Sequence, residues 1–326
     1  MVRVCSDADV ASVLDLADLI EVIAEAFRKQ AAGAVERPER PHFPVGTGLD
    51  SEAPEDPLGT GLAMPAYVHG ADHYATKLVG VHEGNAARDL PTVNATVALT
   101  AADTGLPVAY LAGNRITNAR TGCIGALAVR ELRAGDGPVT LGVLGAGTQA
   151  RWQVRAVAAA VDLDGVRVYS PSSRENCAAE LRERGIDATA VDSPTAAVTD
   201  ADAVVTATTS ETPVFDGDDL APGTVVVAVG AYTPEMTEID ARTVERAATV
   251  FADVPEEVAV IGDVDGRIDA GDLVPFGDLM RGRAGRSDPE SILLVESVGS
   301  AVLDAAAAEA VHEAAVAADV GTSVDL

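Results

Sequence analysis

The chain has 326 residues, 48% of them hydrophobic, which suits two modest domains, because single cores rarely exceed about 250–300 residues. Its formal net charge of −28 at pH 7 excludes nucleic acids and anionic lipid surfaces as partners, because like charges repel. No apolar run reaches the roughly 18–20 residues of a membrane-spanning helix, and residues 1–13 lack a signal-peptide pattern, so we expect a cytoplasmic protein without a membrane partner.

The first part of the chain predicts helices followed by a group of strands. Apolar residues recur at helical spacing over residues 7–30, which indicates one or two amphipathic helices. Residues 34–56 are rich in proline, glycine and acids, and predict a loop with short strands. Four strands follow, over residues 62–68, 74–81, 92–100 and 106–112. The last two are joined by a turn at Thr104–Gly105, and helical spacing returns over residues 118–132.

From residue 139 onwards, strands and helices alternate, which is typical of a parallel sheet covered on both faces. The predicted strands lie over residues 139–144, 166–169, 203–206, 225–229 and 249–251. Helices are predicted over residues 149–161 and near 174–184, and a long alanine-rich helix over 295–317 should return to pack on the first domain. The predicted fold class is α/β: a Rossmann-type doubly wound parallel sheet plus a smaller α+β domain.

A glycine-rich turn follows the strand over residues 139–144 and opens a helix. It reads G-x-G-x-x-A, and its candidate cofactor-binding residues are Gly145, Ala146, Gly147, Thr148 and Gln149. In a dinucleotide site the first glycine allows the tight turn, and the second lets the backbone approach a pyrophosphate at the helix N-terminus. A plain turn between strand and helix is the alternative, but the strand–turn–helix setting favours the nucleotide site.

The end of the second strand of this domain indicates which cofactor binds. NAD sites place an acidic side chain there for the ribose 2′-hydroxyl. No acid is present here, and the hydroxyls and guanidinium suit a 2′-phosphate; the candidates are Ser170, Ser172, Ser173 and Arg174. The sequence therefore favours NADP, with NAD possible; alternatively, Ser172 only caps the next helix. Two further candidate cofactor residues, at the carboxyl end of the predicted strand over residues 203–206, are Thr206 and Thr208.

Lysine is almost absent: Lys29 and Lys77 stand beside 21 arginines. An acidic, lysine-poor surface favours adaptation to a salt-rich cytoplasm, where counterions screen self-repulsion. An ordinary acidic protein from a GC-rich genome is the alternative. Because lysines are so rare, one that remains in an apolar strand, as Lys77 does, requires a reason. Together with Arg40 and Arg120 it suits a small carboxylate, although each cation alone is more often a surface ion pair.

These segments occur in the order of the ornithine cyclodeaminase/mu-crystallin family, which the chain resembles over nearly its whole length. The shared segments include Lys77, Arg120-Thr121-Gly122, the glycine-rich turn at 145–150 and Val229-Gly230-Ala231. The resemblance implies a homodimer of two-domain subunits. A substrate-binding and dimerisation domain would cover residues 1–125 and be completed by 300–326, and the NAD(P)-binding Rossmann domain would cover 126–299.

The resemblance also implies roles for single residues. Lys77 and Arg120 match residues that hold the substrate carboxylate, Arg40 resembles a second arginine, and Thr92 resembles a residue near the nicotinamide. Val229 is a further candidate cofactor contact. Three positions depart from the family pattern: Tyr232 replaces a catalytic aspartate of cyclodeaminases and alanine dehydrogenases, Leu62 replaces a glutamate that faces a distal amine, and Glu296 replaces a common lysine.

The favoured function is an NADPH-using reductase of a small α-imino acid, or an amino-acid dehydrogenase such as alanine dehydrogenase. The proton would come from Lys77, Tyr232 or water. One alternative is an ornithine cyclodeaminase in which Glu235 or Glu238 supplies the acid, and another is a non-catalytic NADPH-dependent ligand-binding protein like mu-crystallin. No metal is expected, because the three cysteines are scattered and form neither a disulfide framework nor a zinc site.

Overall fold

The computed structural model describes residues 1–88 and 90–325. It contains two compact units. Unit 1 comprises Met1–Asp15, Ala32–Arg120 and Ala301–Leu326, and unit 2 comprises Leu16–Ala31 and Thr121–Ser300. Within the described residues, no helix is long and apolar enough to cross a membrane.

The described residues form strands and helices in alternating groups. The strands are β1 (Val2–Cys5), β2 (Val35–Glu36), β3 (His42–Val45), β4 (Gly59–Val68), β5 (His73–Val81), β6 (Val93–Ala101), β7 (Pro107–Ala112), β8 (Val139–Leu144), β9 (Leu163–Tyr169), β10 (Ala188–Ala190), β11 (Ala203–Thr206), β12 (Val225–Ala228), β13 (Ala247–Ala252), β14 (Val274–Pro275), β15 (Ile292–Glu296) and β16 (Thr322–Val324). The helices are α1 (Asp7–Val13), α2 (Leu16–Ala31), α3 (Gly113–Leu132), α4 (Thr148–Ala160), α5 (Arg174–Glu183), α6 (Pro194–Val198), α7 (Ala241–Arg246), α8 (Pro255–Val258), α9 (Phe276–Met280) and α10 (Ala301–Ala317).

Unit 1 is built on a mixed sheet with the strand order β16-β1-β7-β6-β5-β4-β2, and β3 also pairs with β4. Helix α10 packs on β4 and β5. Its small alanine side chains let it lie close to the strands, and most of its residues are buried. Along β5, Ala75 and Lys77 are buried while Leu78 is exposed, because alternate residues of a strand point to opposite faces of the sheet.

Unit 2 is built on an eight-stranded parallel sheet with the order β10-β9-β8-β11-β12-β15-β13-β14. Every residue of β11, β12 and β15 is buried, as expected for central strands of a parallel sheet covered on both faces. The strand order reverses between β8 and β11, where doubly wound sheets bind ligands at the carboxyl ends of their strands. The predicted α/β fold class is therefore confirmed.

Two of the differences from the sequence-based expectations change the type of an element or the unit to which it belongs. The helix predicted over 295–317 begins only at Ala301, because residues 292–296 form the buried strand β15. A short apolar run of that kind does not distinguish a strand from a helix by its spacing. Helix α2, predicted as part of the first domain, belongs to unit 2, because its apolar face packs on α4 and α9. The rings of Phe27 and Phe276 meet there edge to face, 4.8 Å apart.

Candidate active site

A buried cluster of opposite charges lies in unit 1. Lys77 on β5 is 3% exposed, Arg120 on α3 is 5% exposed, and Asp304 in the first turn of α10 is 1% exposed. Asp304 Oδ2 accepts a hydrogen bond from Lys77 Nζ at 2.5 Å, and its Oδ1 accepts one from Arg120 Nε at 3.0 Å. We call these three residues the charge cluster. A single carboxylate is shared by two cations, so the cluster keeps a net positive charge.

The elements of unit 1 explain how the cluster forms. Lys77 points to the face of the sheet that α10 covers, and it is the register partner of Met64 on β4 and Val97 on β6. Asp304 stands in the first turn of α10, where the helix dipole favours a negative charge. Arg120 lies well inside α3, which begins at Gly113 and so starts earlier than its predicted first residue, 118.

Burial and neighbouring charges shift the titration of the cluster. Burial lowers the pKa of Lys77 to about 8, with Arg120 and Arg40 acting in the same direction, while Asp304 opposes the shift. For Asp304, burial alone would raise the pKa, but Arg120 and Lys77 outweigh it, so this pKa lies below its usual range. Lys77 is thus mostly charged at pH 7, but it loses its proton when the pH rises only about one unit further. This suits a group that both binds an anion and moves a proton.

The three cations that the sequence singled out are therefore close enough to influence one another. Arg40 is half-buried on the segment between β2 and β3, and its charge acts on Lys77. Besides the bonds to Asp304, the Lys77 ammonium and the Arg120 guanidinium have further N–H donors. A carboxylate offers the complementary charge and acceptor geometry. The charge cluster together with Arg40 can thus bind a small carboxylate.

A cleft of about 640 Å³ lies along β4, β5 and β6 of the unit 1 sheet. Leu62 and Val79 line it, but so do Leu78, Thr96 and Ala112, which belong to the face opposite Lys77. Leu62 and Val79 form the register pair two positions along from the pair of Met64 and Lys77, so they lie on the same face of the sheet. At the position where the sequence departs from the glutamate of cyclodeaminases, the structure therefore has an apolar side chain on the lysine face.

The glycine-rich turn in unit 2 has the geometry that a dinucleotide requires. Gly145 has φ +116°, and a Cβ there would lie 2.5 Å from the carbonyl oxygen of Ala207, so only glycine fits. Gly147 precedes the first residue of α4 and has open space where a side chain would stand. Thr148 and Gln149 begin the helix. The N-terminal N–H groups of α4 are thus available to a phosphate.

The polar residues after β9 lie together at its carboxyl end. Helix α5 is preceded by Ser173, whose side chain makes no capping hydrogen bond, so the alternative that Ser172 caps this helix is wrong. The hydroxyls of Ser172 and Ser173 are exposed and 3.3 Å apart. Arg174 donates to the carbonyl oxygen of Ser170 at 3.3 Å and to the exposed Asp192 carboxylate at 2.9 Å. Hydroxyl and guanidinium groups therefore surround this strand end.

The next strand ends are held by a buried acid. Thr206 is fully buried and donates its hydroxyl hydrogen bond to Glu238, while Thr208 is half-buried. Val229, also half-buried, donates its backbone N–H to the carbonyl oxygen of Thr206. Since the Thr206 side chain is engaged inside the unit, Thr208 is the more accessible of the two threonines.

The remaining candidates lie in separate units. Thr92 is an exposed residue of unit 1 just before β6, and its carbonyl oxygen accepts a hydrogen bond from the His82 N–H. Tyr232 is 52% exposed in unit 2, four residues after the end of β12. Glu235 is exposed, whereas Glu238 is buried and occupied by hydrogen bonds. Of the two acids considered as replacements for the missing aspartate, Glu238 thus does not face solvent.

Sequence reasoning missed Asp304 and assigned Glu238 a different role. A signal for Asp304 was present: it is a single charged residue among the apolar residues of α10 (Ala301, Val302, Leu303, Ala305, Ala307 and Ala308). A lone acid on a buried helical face requires a partner. Among the described residues, no group of three or more His, Cys, Asp and Glu side chains is arranged to hold a metal ion, and the cysteines are free and buried.

Comparison with known proteins gives a consistent result. The model of the ornithine cyclodeaminase/mu-crystallin family matches residues 1–319. The alanine dehydrogenase of Archaeoglobus fulgidus is 29% identical over 98% of this chain and 97% of its own length. A structure of Thermococcus litoralis Δ1-pyrroline-2-carboxylate reductase in complex with NADH and L-proline has a TM-score of 0.90 at 29% identity, covering 99% of this chain and 100% of that one. An archaeal alanine dehydrogenase dimer with bound NAD has a TM-score of 0.90 at 28% identity, covering 100% and 99%.

Proposed function

We propose that this chain, which belongs to the ornithine cyclodeaminase/mu-crystallin family, is an NADPH-dependent reductase of a small α-imino acid, able to run in reverse as an amino-acid dehydrogenase. The observation that carries the proposal is the buried charge cluster: Lys77 and Arg120 share Asp304 and retain a net positive charge. Buried cations that are not fully neutralised fit an anionic ligand. The relatives named above act on substrates of this type.

The reaction needs one hydride and one proton. A bound nicotinamide would supply the hydride that the α-carbon of the imino acid requires. Arg120 and Arg40 hold the substrate carboxylate, and Lys77 binds it and gives a proton to the imine nitrogen. With a pKa of about 8, Lys77 carries this proton at pH 7 and recovers it from water after each turnover. The exposed Tyr232 phenol is a second candidate donor, and steady-state kinetics of Tyr232→Phe would show whether it takes part.

The cofactor proposal is NADP in preference to NAD. Its support is the cluster of hydroxyls and the guanidinium after β9, where the strand is not followed by the acidic residue that NAD sites place there. Neither Ser172 nor Ser173 is used as a helix cap. Arg174 is partly engaged by Asp192, whose carboxylate is almost fully exposed, so a phosphate dianion can compete for the guanidinium.

A true cyclodeaminase is the weaker reading of the site. Releasing ammonia and closing a ring requires proton transfers that a carboxylate near the amine serves well. Leu62 is apolar, Tyr232 is a phenol, and Glu238 is buried with its oxygens occupied. The apolar Leu62 side chain on the lysine face instead suits a substrate with a short or apolar side chain.

We also propose that the subunits pair through unit 1. On the sheet face opposite α10, four large side chains are exposed: Val4, Tyr74, Leu78 and Tyr110. Val4 pairs with Tyr110, and Tyr110 pairs with Ala98, which in turn pairs with Thr76. Because Thr76 lies on the same face of β5 as Tyr74 and Leu78, all four exposed side chains share one face of the sheet. An apolar face of this kind marks an interface. Leu78→Arg should give monomers in analytical ultracentrifugation, whereas a wild-type monomer would refute this pairing.

The deciding assay follows absorbance and product together. Purified protein in molar KCl is mixed with NADPH or NADH and with Δ1-pyrroline-2-carboxylate, or with pyruvate plus ammonia. Net NADPH oxidation with formation of the amino acid is expected. Ornithine with catalytic cofactor is the second arm: proline and ammonia in equal amounts without net cofactor change would make the chain a cyclodeaminase. Tight NADPH and ligand binding without turnover would point to a binding protein.

A further inference from the structure

Glu238 connects strand ends that lie far apart in the sequence of unit 2. Its Oε2 accepts hydrogen bonds from the Thr206 hydroxyl at 2.9 Å and from the Gly230 N–H at 2.7 Å. Its Oε1 accepts one from the Thr208 N–H at 2.6 Å. The side chain is fully buried. One carboxylate therefore joins the carboxyl ends of β11 and β12 with three hydrogen bonds.

The contacts around the glycines show how tightly these strand ends are arranged. A Cβ at Gly230 would lie 2.2 Å from the carbonyl oxygen of Thr208 and 2.6 Å from the Glu238 carboxyl group. The carbonyl oxygen of the preceding residue, Ala207, lies against Gly145 of the glycine-rich turn. The path from Glu238 through Thr208 and Ala207 thus reaches the turn at the end of β8. A shift of the Glu238 carboxylate would be transmitted to that turn, because close-packed backbone has little room to adjust.

We propose that Glu238 is a positioning residue for the nucleotide, holding the segments after β11 and β12 in the geometry that the cofactor needs, and that it does so only as a carboxylate. The proposal rests on the nucleotide binding proposed above. All three of its partners are donors, so an ionised carboxylate satisfies each of them. A protonated Glu238 would bring a hydrogen among these donors. Only the Thr206 hydroxyl could turn to accept it, because the N–H groups of Thr208 and Gly230 can only donate, so the present arrangement of hydrogen bonds would change.

The surroundings make this requirement sensitive to pH. Burial raises the pKa of Glu238 to about 7; the hydrogen bonds from Thr208 and Gly230 oppose the rise and Asp263 adds to it. Asp263 accepts the backbone N–H groups of Glu238 and Ile239 and feels the charge of Arg267. The buried Glu296 interacts electrostatically with both Glu238 and Asp263, and with Asp253 as well. The carboxylate form is therefore gradually lost as the pH falls through neutrality.

The test is the affinity for NADPH as a function of pH, measured by fluorescence titration on the full chain. Wild-type affinity should fall about 10-fold between about pH 8 and about pH 6. Glu238→Gln cannot accept from all three donors, so it should bind NADPH about 10-fold or more weakly at pH 8 and show little pH dependence. Asp240→Asn is the matched control: Asp240 also accepts backbone N–H groups, but those of Gly217 and Thr243. It should bind like the wild type.

A second variant keeps the test decisive if Glu238→Gln does not fold. Asp263→Asn removes the charge that helps to raise the pKa of Glu238, so the fall in NADPH affinity should move to lower pH. Unchanged pH profiles in both variants, or wild-type affinity in Glu238→Gln, would overturn the inference while leaving nucleotide binding intact. A wild-type protein that binds neither NADPH nor NADH at any pH would overturn the proposed function and this inference with it.

Discussion

Replacing Asp304 with asparagine tests the charge cluster most directly. The change keeps the size of the side chain but removes the negative charge that Lys77 and Arg120 share. Both cations are almost completely buried, so solvent cannot replace the lost partner. The variant leaves two unneutralised positive charges beside each other, and Lys77 has the option of giving up its proton. Arg120 does not have that option, because a guanidinium stays protonated.

The magnitude follows from the distances. Unit charges 2.5 and 3.0 Å apart attract by about 5–7 kcal/mol each at an effective dielectric constant of about 20. Desolvation offsets most of this attraction, and breaking a buried pair typically costs about 3–5 kcal/mol. We therefore expect Asp304→Asn to lower the free energy of unfolding by about 3–5 kcal/mol at pH 7.

The pH dependence carries a sign that can be checked. The pKa of Lys77 is lower in the folded protein, about 8, than its ordinary value of 10.5, so the unfolded chain binds more protons between these values. Stability contributed by Lys77 therefore rises with pH across that window. Asp304 raises the pKa of Lys77, so its removal should lower this pKa further. The stability of the variant should then begin to rise at a lower pH than that of the wild type. The difference in free energy of unfolding between the two proteins should therefore be smaller at pH 9 than at pH 7.

Denaturant unfolding followed by circular dichroism in molar KCl, at several pH values, measures these effects. Glu309→Gln is the control, because Glu309 lies on the same helix and pairs with His73 at the less buried end of the sheet. It should cost no more than about 1 kcal/mol. Equal stability of Asp304→Asn and the wild type at pH 7 would mean that the charge cluster is not a coupled buried unit.

Four further predictions concern catalysis, cofactor choice and stability. Arg120→Ala should lower kcat/KM in steady-state kinetics by an amount that corresponds to a loss of about 2–4 kcal/mol of transition-state stabilisation. Lys77→Ala should have at least as large an effect, mostly on kcat. Wild-type kinetics in either variant would mean that the replaced residue is not part of the site. NADPH should bind at least ~10-fold more tightly than NADH, and Ser170→Asp should shift the preference towards NADH in competitive titrations; a wild-type preference for NADH would contradict this. Burial, followed by the charges of Asp263, Glu238 and Asp253, raises the pKa of Glu296 well above 4.5. Folding therefore loses stability as the pH rises above that value, by up to about 1.4 kcal/mol per pH unit. Glu296→Gln should flatten this decline in thermal melts at increasing pH, and an unchanged slope would exclude this origin. Melting temperatures should rise from low salt to molar KCl because counterions screen the net charge of −28, whereas equal midpoints would argue against salt adaptation.

Local patterns in the sequence were sufficient for most elements. The strand over residues 139–144, the glycine-rich turn and α4 follow one another along the chain, so spacing and turn chemistry alone predicted them. Strands β4 to β7 of unit 1 were found within a few residues because their apolar residues alternate or form short runs, whereas β1 and β16 were not predicted. Lys77 stood out because lysine is so rare here, and the structure brings it together with Arg120 and within the electrostatic range of Arg40.

Tertiary structure decided the features that depend on distant parts of the chain. Residues 292–296 became a strand because they fill a position between β12 and β13, which no local pattern specifies. Lys77 and Asp304 are 227 residues apart in sequence, and Arg120 and Asp304 are 184 apart. Glu238 reaches Thr206 and Thr208 about one strand–helix repeat earlier. Burial gives these carboxylates their roles, since a buried charge must find partners, and only the packed chain determines which groups are near enough to serve.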